Sequence, residues 1–410
     1  MNEYVIIGNG VAAVGCIEGI RSQDAEGRIT VISKESHPVY CRPLISYYLE
    51  GKTDLARMPY RDEDFYEKNG CRVLYGTTAE NINAPDQTVT PDDGETLPYT
   101  SLCVATGSSP FVPPIAGLDS VPDKFSFMTL DDARALEEAT RTPKRVLIVG
   151  AGLIGLKCAE GLHARASSIT VCDLADHVLP SILDADCASV LQAHLEQNGI
   201  RFMFSDTVER FDGCSATMRS GKTIAFDVLV MAVGVRANIA IAKSCGCETN
   251  RGILVGDHME TTVSGIYAAG DCTEGTDISF GQKRVLAILP NAYMQGYTAG
   301  VNMAGGSAVF DNAIPMNAIG FFGLHALTAG IYEGDVYEEA KDGGCKKLFT
   351  KDDLLKGFIL IGDTTRAGLY TSLIRNRTPL SSIDFEMMKK IATSAAFSSE
   401  MRTKSFGGVV

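Results

Sequence analysis

The chain has 410 residues, 45% of them hydrophobic, and a formal net charge of −13 at pH 7. This length predicts two or three domains, and the apolar fraction is ample for a buried core. No stretch approaches the roughly 18 uninterrupted apolar residues of a membrane span, and the start of the chain lacks the basic leader of a signal peptide. The acidic balance argues against nucleic acid as a main partner. These features favour a cytoplasmic protein.

The 12 cysteines form no C-x-x-C pair, and the two closest in sequence are Cys245 and Cys247. Iron–sulfur and zinc sites normally show tighter clusters of ligands, so we expect no metal site. In a cytosolic protein the cysteines are expected to be reduced thiols.

A strand, a glycine-rich turn and a helix open the chain. The apolar run at residues 4–7 predicts a buried parallel strand, and the next six residues have the spacing G-x-G-x-x-A. Gly8 permits the tight turn, Gly10 lets a pyrophosphate approach the backbone, and Ala13 permits close packing of helix on strand. The helix N-terminus, which includes Ala12, would offer N–H groups to the phosphates. This stretch predicts a dinucleotide-binding unit.

The second strand of this unit is predicted at residues 28–35. An acid at its end would accept hydrogen bonds from an adenosine ribose. Glu35 is the candidate, although Ser33 holds the usual position, and the alternative is a solvated loop acid. In the following loop, Arg42 precedes Pro43, which suits a rigid loop that holds a guanidinium against phosphate or flavin. A plain surface arginine is the alternative there.

The opening pattern recurs at residues 146–162. Glycines recur at the same spacing, and Cys158 and Glu160 match Cys16 and Glu18 in register. Two such units in one chain are far more specific than one. The predicted cofactor contacts of the second unit are Gly150, Gly152, Leu153, Ile154 and Gly155.

Asp173 ends the second strand of the repeated unit, where a ribose-binding acid belongs. Its carboxylate would repel a 2′-phosphate, and no arginine follows it closely. Together with Gly155 as the third small residue of the motif, this favours NADH over NADPH.

Three further apolar strands end in glycine. The first closes as Ala105-Thr106-Gly107, the second ends at Gly234, and the third closes as Ala268-Ala269-Gly270-Asp271. An acid at the C-terminal end of a strand can hold a chain of hydroxyl groups, but it can also be a helix N-cap.

These motifs, in this order, resemble the pyridine nucleotide–disulfide oxidoreductase family over about the first 310 residues. The resemblance implies FAD on the first unit, NADH on the second, and Asp271 at the ribityl chain or pyrophosphate of the flavin. It also implies an α/β fold with two Rossmann-like dinucleotide-binding domains plus a C-terminal α+β domain. Within the family, Tyr40-x-Arg42-Pro43-Leu44-x-Ser46 and residues 355–375 are similar to rubredoxin and ferredoxin reductases and to the flavin portion of NADH-dependent nitrite reductases.

The sequence also departs from the family. The C-x-x-x-x-C of the disulfide reductases is absent. The single reactive cysteine of the peroxidases and oxidases aligns with Pro43, and Cys41 lies two residues early. Ferredoxin reductases often pair a Lys with a Glu at two positions that are Tyr47 and Lys157 here. Lys157 is therefore predicted near the nicotinamide and flavin, where it would stabilise negative charge on reduced flavin; a solvent-facing lysine is the alternative.

The predicted domains are an FAD domain at 1–112 and 240–310, an NADH domain at 113–239 and a C-terminal domain at 311–410. In the last, residues 347–361 are expected to form two strands around a Lys356-Gly357 turn. Residues 380–400 are expected to be helical, and the tail after Met401 mobile.

The predicted function is hydride transfer from NADH to FAD, followed by transfer of single electrons to a small redox protein such as rubredoxin or ferredoxin. Residues 345–410 hold 11 Lys and Arg against 6 Asp and Glu. This basic tail, including Lys346-Lys347 and Lys389-Lys390, could steer an acidic carrier. The alternatives are an NADH oxidase or peroxidase, an FAD subunit of a larger reductase such as nitrite reductase, and a non-enzymatic NADH-responsive interaction module. A homodimer is left open.

Overall fold

The structure is a computed structural model that describes residues 1–341 and 343–406. Two parallel five-stranded sheets carry the two glycine motifs. In spatial order, the strands of the first sheet are Ile266–Ala268, Ser101–Val104, Glu3–Ile7, Arg28–Ser33 and Cys71–Tyr75. Those of the second sheet are Ile200–Met203, Ala166–Cys172, Lys144–Val149, Val228–Met231 and Lys124–Phe125.

The central strands of both sheets are buried on both faces, as the continuous apolar runs predicted. Each glycine motif leads from the central strand of its sheet into a helix. These two helices are Val11–Arg21 and Leu153–Leu162. The other helices of the first 310 residues are Ile45–Glu50, Phe65–Lys68, Leu130–Ala139, Ala185–Gln197, Ala240–Ser244 and Leu289–Met303. Single 3-10 turns lie at Arg42–Leu44, Leu55–Arg57 and Leu118–Ser120.

Three small sheets of short strands, mostly antiparallel, lie outside these two parallel sheets. One three-stranded sheet comprises Ala79–Asn83, Thr88–Pro91 and Leu97–Pro98, and a second comprises Val208–Asp212, Ser215–Met218 and Thr223–Ala225. A third comprises Ile253–Leu254, Thr273–Asp277 and Gln282–Arg284. The chain crosses between the two parallel sheets on a pair of antiparallel strands, Ser108–Pro110 and Val235–Ala237.

The first glycine-motif helix packs against helix Leu289–Met303 at backbone contact. A β-carbon on Gly15 or Gly19 would lie 2.3 Å from a main-chain oxygen of the other helix, and one on Gly296 or Gly300 would lie 2.0 or 2.1 Å from an oxygen of the first. Glycine is required at such a close approach of two backbones. The contact holds the late segment of the chain against the first glycine motif.

The C-terminal part is an antiparallel five-stranded sheet with short helices. Its strands, in spatial order, are Met316–Phe321, Leu324–Gly330, Leu354–Ile361, Gly344–Lys351 and Asp335–Lys341. Its helices are Ala367–Arg375, Phe385–Lys390 and Ser399–Phe406, with 3-10 turns at Leu380–Ser382 and Ser394–Ala396. The predicted fold class is confirmed, whereas the predicted domain boundaries remain predictions.

The predicted turn at Lys356-Gly357 is wrong. The turn lies at Asp352 and Asp353, which both have positive φ, and Gly357 lies inside the strand that follows. A β-carbon on Gly357 would lie 2.3 Å from the main-chain oxygen of Ile331. This glycine therefore serves the close approach of a neighbouring chain segment rather than a turn.

The region 380–400 is only partly helical, because the short helix and the two 3-10 turns are separated by extended residues. The chain is helical through Phe406, and the rest of the tail predicted to be mobile, residues 407–410, lies outside the described residues. Among the described helices, none combines the length and apolarity that a membrane crossing requires.

Two sequence-based expectations about side chains are corrected. Cys187 and Cys345 form a disulfide, so the cysteines are not all reduced thiols. Lys347, predicted to steer a carrier from the surface, is 4% exposed and bonds Asp184 at 2.8 Å and Asp186 at 2.7 Å. Its strand packs against helix Ala185–Gln197, which buries the ammonium group against these carboxylates.

Candidate active site

The first glycine motif is a tight turn with an open side. Gly8 has a φ of +112°, and a β-carbon there would lie 2.1 Å from the main-chain oxygen of Ala105, so no other residue fits. Two residues later the surroundings differ, because a β-carbon on Gly10 would meet no atom within 4 Å. Gly10 is also the N-cap of helix Val11–Arg21 and offers no side-chain cap to the first helical N–H groups.

The second motif repeats this geometry. Gly150 has a φ of +117°, and a β-carbon there would lie 2.2 Å from the main-chain oxygen of Ala232. A β-carbon on Gly152 would again meet nothing within 4 Å, and this residue is the uncapped N-cap of helix Leu153–Leu162. Gly155 must be small, because its β-carbon would lie 2.0 Å from the oxygen of Gly150.

The two open sides fit the pyrophosphates of two dinucleotides. Phosphate oxygens bind at helix N-termini whose first N–H groups have no intrahelical partner. Those N–H groups belong to residues that include Ala12 and Ala13 in the first unit and Leu153 and Ile154 in the second. Asn9 adds a buried side-chain Nδ2 that has no hydrogen-bond partner among the described residues, while its Oδ1 accepts from the Tyr66 hydroxyl at 2.6 Å. The sequence motif treats Asn9 only as a spacer.

Asp173 lies directly against the second glycine motif. One carboxylate oxygen accepts from the Ala151 N–H at 2.6 Å, and the other accepts from the Ala175 N–H at 2.8 Å. The carboxylate is thereby fixed at the carboxyl end of its strand. This placement agrees with the expected ribose-binding position, and the contact with ribose itself remains a prediction.

Glu35 and Arg42 bind each other. Glu35 accepts from Arg42 Nη2 at 2.8 Å and from the Tyr40 hydroxyl at 2.7 Å, and Arg42 also donates to the main-chain oxygen of Met128 at 3.0 Å. Arg42 is thus held by two hydrogen bonds, one to Glu35 in the preceding segment and one to the main chain of Met128. The ribose role of Glu35 and the flavin role of Arg42 remain predictions, and the structure adds that Glu35 orients Arg42.

Asp271 lies beside the first motif. It follows Gly270, whose φ is +84° and whose added β-carbon would lie 3.0 Å from the Ala12 side chain. Burial raises the pKa of the Asp271 carboxyl, while the charge of Arg42 opposes this shift. The Ser108 hydroxyl donates to Asp271 Oδ2 at 3.4 Å. Gln295, which no sequence motif marks, accepts from the Gly270 N–H at 2.8 Å and so fixes this segment.

The segment between the two parallel sheets is tied by Asn238, another residue that no motif marks. Its side-chain amide donates to the Thr106 main-chain oxygen at 2.9 Å, and its N–H donates to the Gly107 oxygen at 2.9 Å. The Thr106 hydroxyl donates back to the Asn238 oxygen at 2.7 Å. Gly234, at the start of the return crossing, accepts from the Phe111 N–H at 2.9 Å. These bonds join the closing strands of the two units.

Lys157 and Tyr47 are brought together. The Lys157 Nζ lies 5.0 Å from the centroid of the Tyr47 ring and 5.1 Å from that of Phe321. It donates to the Gly320 oxygen at 2.8 Å and to Glu160 Oε2 at 2.5 Å. The Lys157 side chain is 16% exposed, which excludes the alternative of a lysine turned to solvent. Its place at the nicotinamide and flavin remains a prediction.

Glu160 and Glu18, which match in the internal repeat, are both neutralised by a cation. Glu160 binds Lys157 and also accepts from the Phe322 N–H at 2.7 Å. Glu18 binds Arg61 at 2.7 Å and the Tyr293 hydroxyl at 2.5 Å. The repeat therefore extends beyond the glycine motif to an ion-paired carboxylate, which is half-buried at Glu18 and buried at Glu160. In the second unit the cation, Lys157, lies on the same helix as its carboxylate.

The cysteine nearest the reactive position is not activated. Burial raises the pKa of the Cys41 thiol, so the thiolate that acts as a nucleophile is disfavoured. By the sequence resemblance, Pro43 aligns with the reactive cysteine of the peroxidases and oxidases, and that alignment remains a prediction. The arrangement thus holds two dinucleotides without offering a protein nucleophile at this loop.

Two similar dinucleotide cradles on two parallel sheets, joined by paired crossover strands, define a two-dinucleotide oxidoreductase. A family model described as pyridine nucleotide-disulphide oxidoreductase matches residues 2–296, and the chain belongs to that family. It is an enzyme that uses FAD and NADH. The family resemblance indicated by the sequence motifs is confirmed.

Similar proteins cover most of the chain. The NADH-dependent phenylglyoxylate dehydrogenase subunit epsilon of Aromatoleum evansii is 32% identical, with 92% of each chain covered. The rubredoxin-NAD(+) reductase of Acinetobacter baylyi is 32% identical over 89% of this chain and 95% of its own length. The assimilatory nitrate reductase electron transfer subunit of Bacillus subtilis is 33% identical over 91% of this chain, which spans only 49% of that protein.

A solved structure with the same fold is that of the covalent putidaredoxin reductase–putidaredoxin complex. It has a TM-score of 0.88 and 22% identity, with 96% of this chain and 97% of that chain covered. At this identity the similarity concerns the fold, which extends through the C-terminal sheet.

Proposed function

We propose that the enzyme takes a hydride from NADH and delivers the electrons one at a time to a small redox protein of the rubredoxin or ferredoxin class. Each NADH would give NAD⁺, one proton and two electrons, and would reduce two molecules of a one-electron carrier. Bound FAD supplies the conversion from a two-electron donor to a one-electron acceptor.

The observation that carries this proposal is that two open glycine motifs occur together with a loop, at residues 41–43, that offers no activated cysteine. The cradles at Gly10 and Gly152 support binding of FAD and NADH, respectively. Pro43 and the half-buried Cys41, whose thiol pKa is raised, supply no thiolate for a peroxidase or a disulfide reductase. An electron-transfer reductase needs no protein nucleophile, because its protein groups bind, orient and exclude water.

Individual residues are assigned roles in this proposal. Asp173 would bind the ribose of NADH, and Asp271 with Arg42 would hold the flavin. Lys157 would place a positive charge where negative charge collects on reduction, since a cation in a water-poor site stabilises an anion strongly. Tyr47 and Phe321 would hold the Lys157 ammonium by their ring faces.

The experiment is anaerobic stopped-flow reduction of the purified holoenzyme by NADH, followed by mixing with oxidised rubredoxin or a [2Fe–2S] ferredoxin. We expect NADH to bleach the flavin, and either rubredoxin or the ferredoxin to restore its absorbance. Two molecules of that carrier should be reduced for each NADH. A flavin that NADH leaves oxidised would refute the proposal. Reoxidation by oxygen or peroxide alone would instead favour the oxidase or peroxidase, and sulfenate at Cys41 after peroxide treatment would support the latter.

A second candidate function is an FAD subunit of a larger reductase. It is supported by the similarity, over 92% of both chains, to a protein named as a subunit. In this case NADH would bleach the flavin, but free rubredoxin and ferredoxin would reoxidise it slowly. The physiological acceptor would then be recovered by affinity purification of the tagged enzyme from its own cells, and it would reoxidise the flavin at the rate of turnover.

The finer features of the partner belong to the same proposal. An acidic carrier would suit the excess of basic residues in the last 66 residues of the chain. Homodimer formation and cytoplasmic residence remain predictions from the sequence. A non-enzymatic NADH-responsive role would require that NADH bind without any acceptor-dependent turnover.

A further inference from the structure

The Cys187–Cys345 disulfide joins two parts of the chain that are 158 residues apart. Cys187 lies in the first turn of helix Ala185–Gln197, which packs on the second parallel sheet, and Cys345 lies on strand Gly344–Lys351 of the C-terminal sheet. Cys187 is 0% exposed and Cys345 is 7% exposed. The bond is therefore a buried covalent link between the NADH-binding part and the C-terminal part.

An ion-pair cluster lies beside this link. Lys347 is two residues after Cys345, so the two side chains leave the same face of their strand. Lys347 binds Asp184 and Asp186, which flank the start of the helix that carries Cys187. Asp184 is also the N-cap of that helix, since it accepts from the Cys187 N–H at 3.0 Å. Disulfide and ion pairs thus hold the same end of one helix to one strand.

The other end of this helix holds the hairpin that contacts Lys157. His194 Nε2 lies 3.1 Å from the Phe321 oxygen and 3.3 Å from the Phe322 oxygen. Phe321 ends the first strand of the C-terminal sheet, and Phe322 begins the turn that follows it. Phe322 donates its N–H to Glu160, and the oxygen of Gly320 accepts from Lys157. A continuous series of contacts therefore leads from the disulfide to the ammonium group proposed to act at the flavin.

We propose that Cys187 and Cys345 are a thiol–disulfide modification site that controls how firmly the 320–322 hairpin holds Lys157. One small dithiol would open the bond, giving two cysteine thiols and one cyclic disulfide, so that two electrons and two protons pass to the protein. With the bond open, the helix would still be held to the C-terminal sheet by the ion pairs of Lys347, the hydrogen bonds of His194 and a hydrophobic cluster that includes residues of both elements, but no longer by a covalent link. The helix and the hairpin would then fluctuate more.

Burial sets the kinetics of this modification. Because neither sulfur is on the surface, a dithiol can attack only when the interface opens transiently, and the attack falls on Cys345, the more exposed of the two. Opening should therefore take minutes rather than milliseconds, and it should quicken when the ion pairs of Lys347 are removed.

The first test is chemical and is independent of the proposed function. The purified holoenzyme is alkylated with iodoacetamide in denaturant without a reductant, digested, and mapped by mass spectrometry. We expect a disulfide-linked peptide pair that contains Cys187 and Cys345, and alkylated Cys214, an exposed free thiol that serves as the internal standard. Alkylation of Cys187 and Cys345, both as purified and after treatment with the oxidant diamide, would overturn the proposal.

The second test measures the coupling by hydrogen exchange, again without turnover. Amides in peptides covering residues 316–324 and 188–197 should exchange at least fivefold faster after treatment with dithiothreitol. The double variant Cys187→Ala/Cys345→Ala should match the reduced wild type, and Cys214→Ser should match the oxidised wild type. Because reduced wild type needs no substitution, the test does not depend on folding of the variant. Equal exchange in the linked and open forms would overturn the proposal.

The third test rests on the proposed function. The rate constant for bleaching of the flavin by NADH should change at least twofold when dithiothreitol opens the bond in wild type. The same treatment should change nothing in the double alanine variant. A flavin that NADH never bleaches would refute the proposed function while the first two tests stand, whereas equal rates in linked and open wild type would refute control of Lys157 by the disulfide.

Discussion

Lys157 presents its ammonium group to the face of the Tyr47 ring, at 5.0 Å from the ring centroid. The sequence resemblance to ferredoxin reductases implies a Lys–Glu ion pair at these two positions. Here the cation has moved to the glycine-motif helix, and its counter-charge, Glu160, lies one turn further along that helix. A ring contact of this kind contributes about 0.5–2 kcal/mol, depending on how far the cation is removed from water.

Replacement of Lys157 by Met should slow the bleaching of the flavin by NADH about tenfold, equivalent to about 1.4 kcal/mol. It should also make the flavin midpoint potential more negative, because the cation proposed to stabilise the reduced form is lost. Stopped-flow absorbance and a spectroelectrochemical titration measure the two effects.

Two matched variants separate charge from packing in this experiment. Lys157→Arg keeps the cation and should retain most of the rate, and Tyr47→Phe keeps the ring and should resemble the wild type. Glu160→Gln reports what loss of the ion pair does by itself. A Lys157→Met enzyme with unchanged rate and unchanged potential would show that Lys157 does not act at the flavin.

Substitution of the two open glycines should separate the two cofactors. Gly10→Val and Gly152→Val both place side-chain atoms in open space, in extended backbone that valine adopts readily. The Gly10 variant should fold but purify with little FAD. The Gly152 variant should keep its FAD and bind NADH at least tenfold more weakly. Flavin absorbance per protein and the NADH dependence of the bleaching rate measure these outcomes.

Gly8→Val is the control for this pair. Its β-carbon would lie 2.1 Å from the Ala105 oxygen at a positive φ, so we expect misfolding rather than selective loss of one cofactor. Normal FAD content in the Gly10 variant would contradict the assignment of the first cradle to FAD.

The parts of the fold that the sequence predicts best are those encoded by adjacent residues. Apolar runs and glycine spacing identify both parallel sheets and both motifs, because the strand, turn and helix are contiguous in the chain. Contacts between distant residues leave no such signal. Asn238 and Gln295 are single polar residues in unremarkable stretches, and their roles depend on which backbone groups the tertiary fold brings to them.

Two wrong predictions have the same cause. Gly357 resembles a turn residue in sequence, but it is small because the main chain of Ile331 passes over it. Lys347 resembles a surface charge, but its strand packs on the helix that carries Asp184. In both cases a partner distant in sequence decides the role of the residue.

The Arg145–Asp227 pair should make the free energy of unfolding depend on pH in the acidic range. Hydrogen bonds from the Arg145 side chain and N–H lower the pKa of the Asp227 carboxyl to about 2. A carboxyl whose pKa is depressed in the folded state adds stability above its unfolded pKa of about 3.9, and this stability is lost as the pH falls toward 2. Asp227→Asn should therefore lower the Tm at pH 7 and have a smaller effect at pH 3.5. Calorimetry at both pH values measures this, and an equal loss at each would contradict it.

Substitution should destabilise the protein at Lys347 but not at Lys390, although sequence alone places both residues in the basic tail. Lys347→Met leaves Asp184 and Asp186 without their cation at a packed interface. The expected loss is near the lower end of the about 3–5 kcal/mol typical of a broken buried pair, because Asp186 is 77% exposed and can be hydrated. This variant should lower the Tm by several degrees. Lys390 is exposed, so Lys390→Glu should leave the Tm unchanged within about 0.5 kcal/mol of stability.

If the tail steers an acidic carrier, Lys390→Glu should instead slow carrier reduction at low salt and flatten its dependence on ionic strength. Stopped-flow rates from low to high salt decide this, and a salt dependence identical to that of the wild type would remove Lys390 from the docking surface.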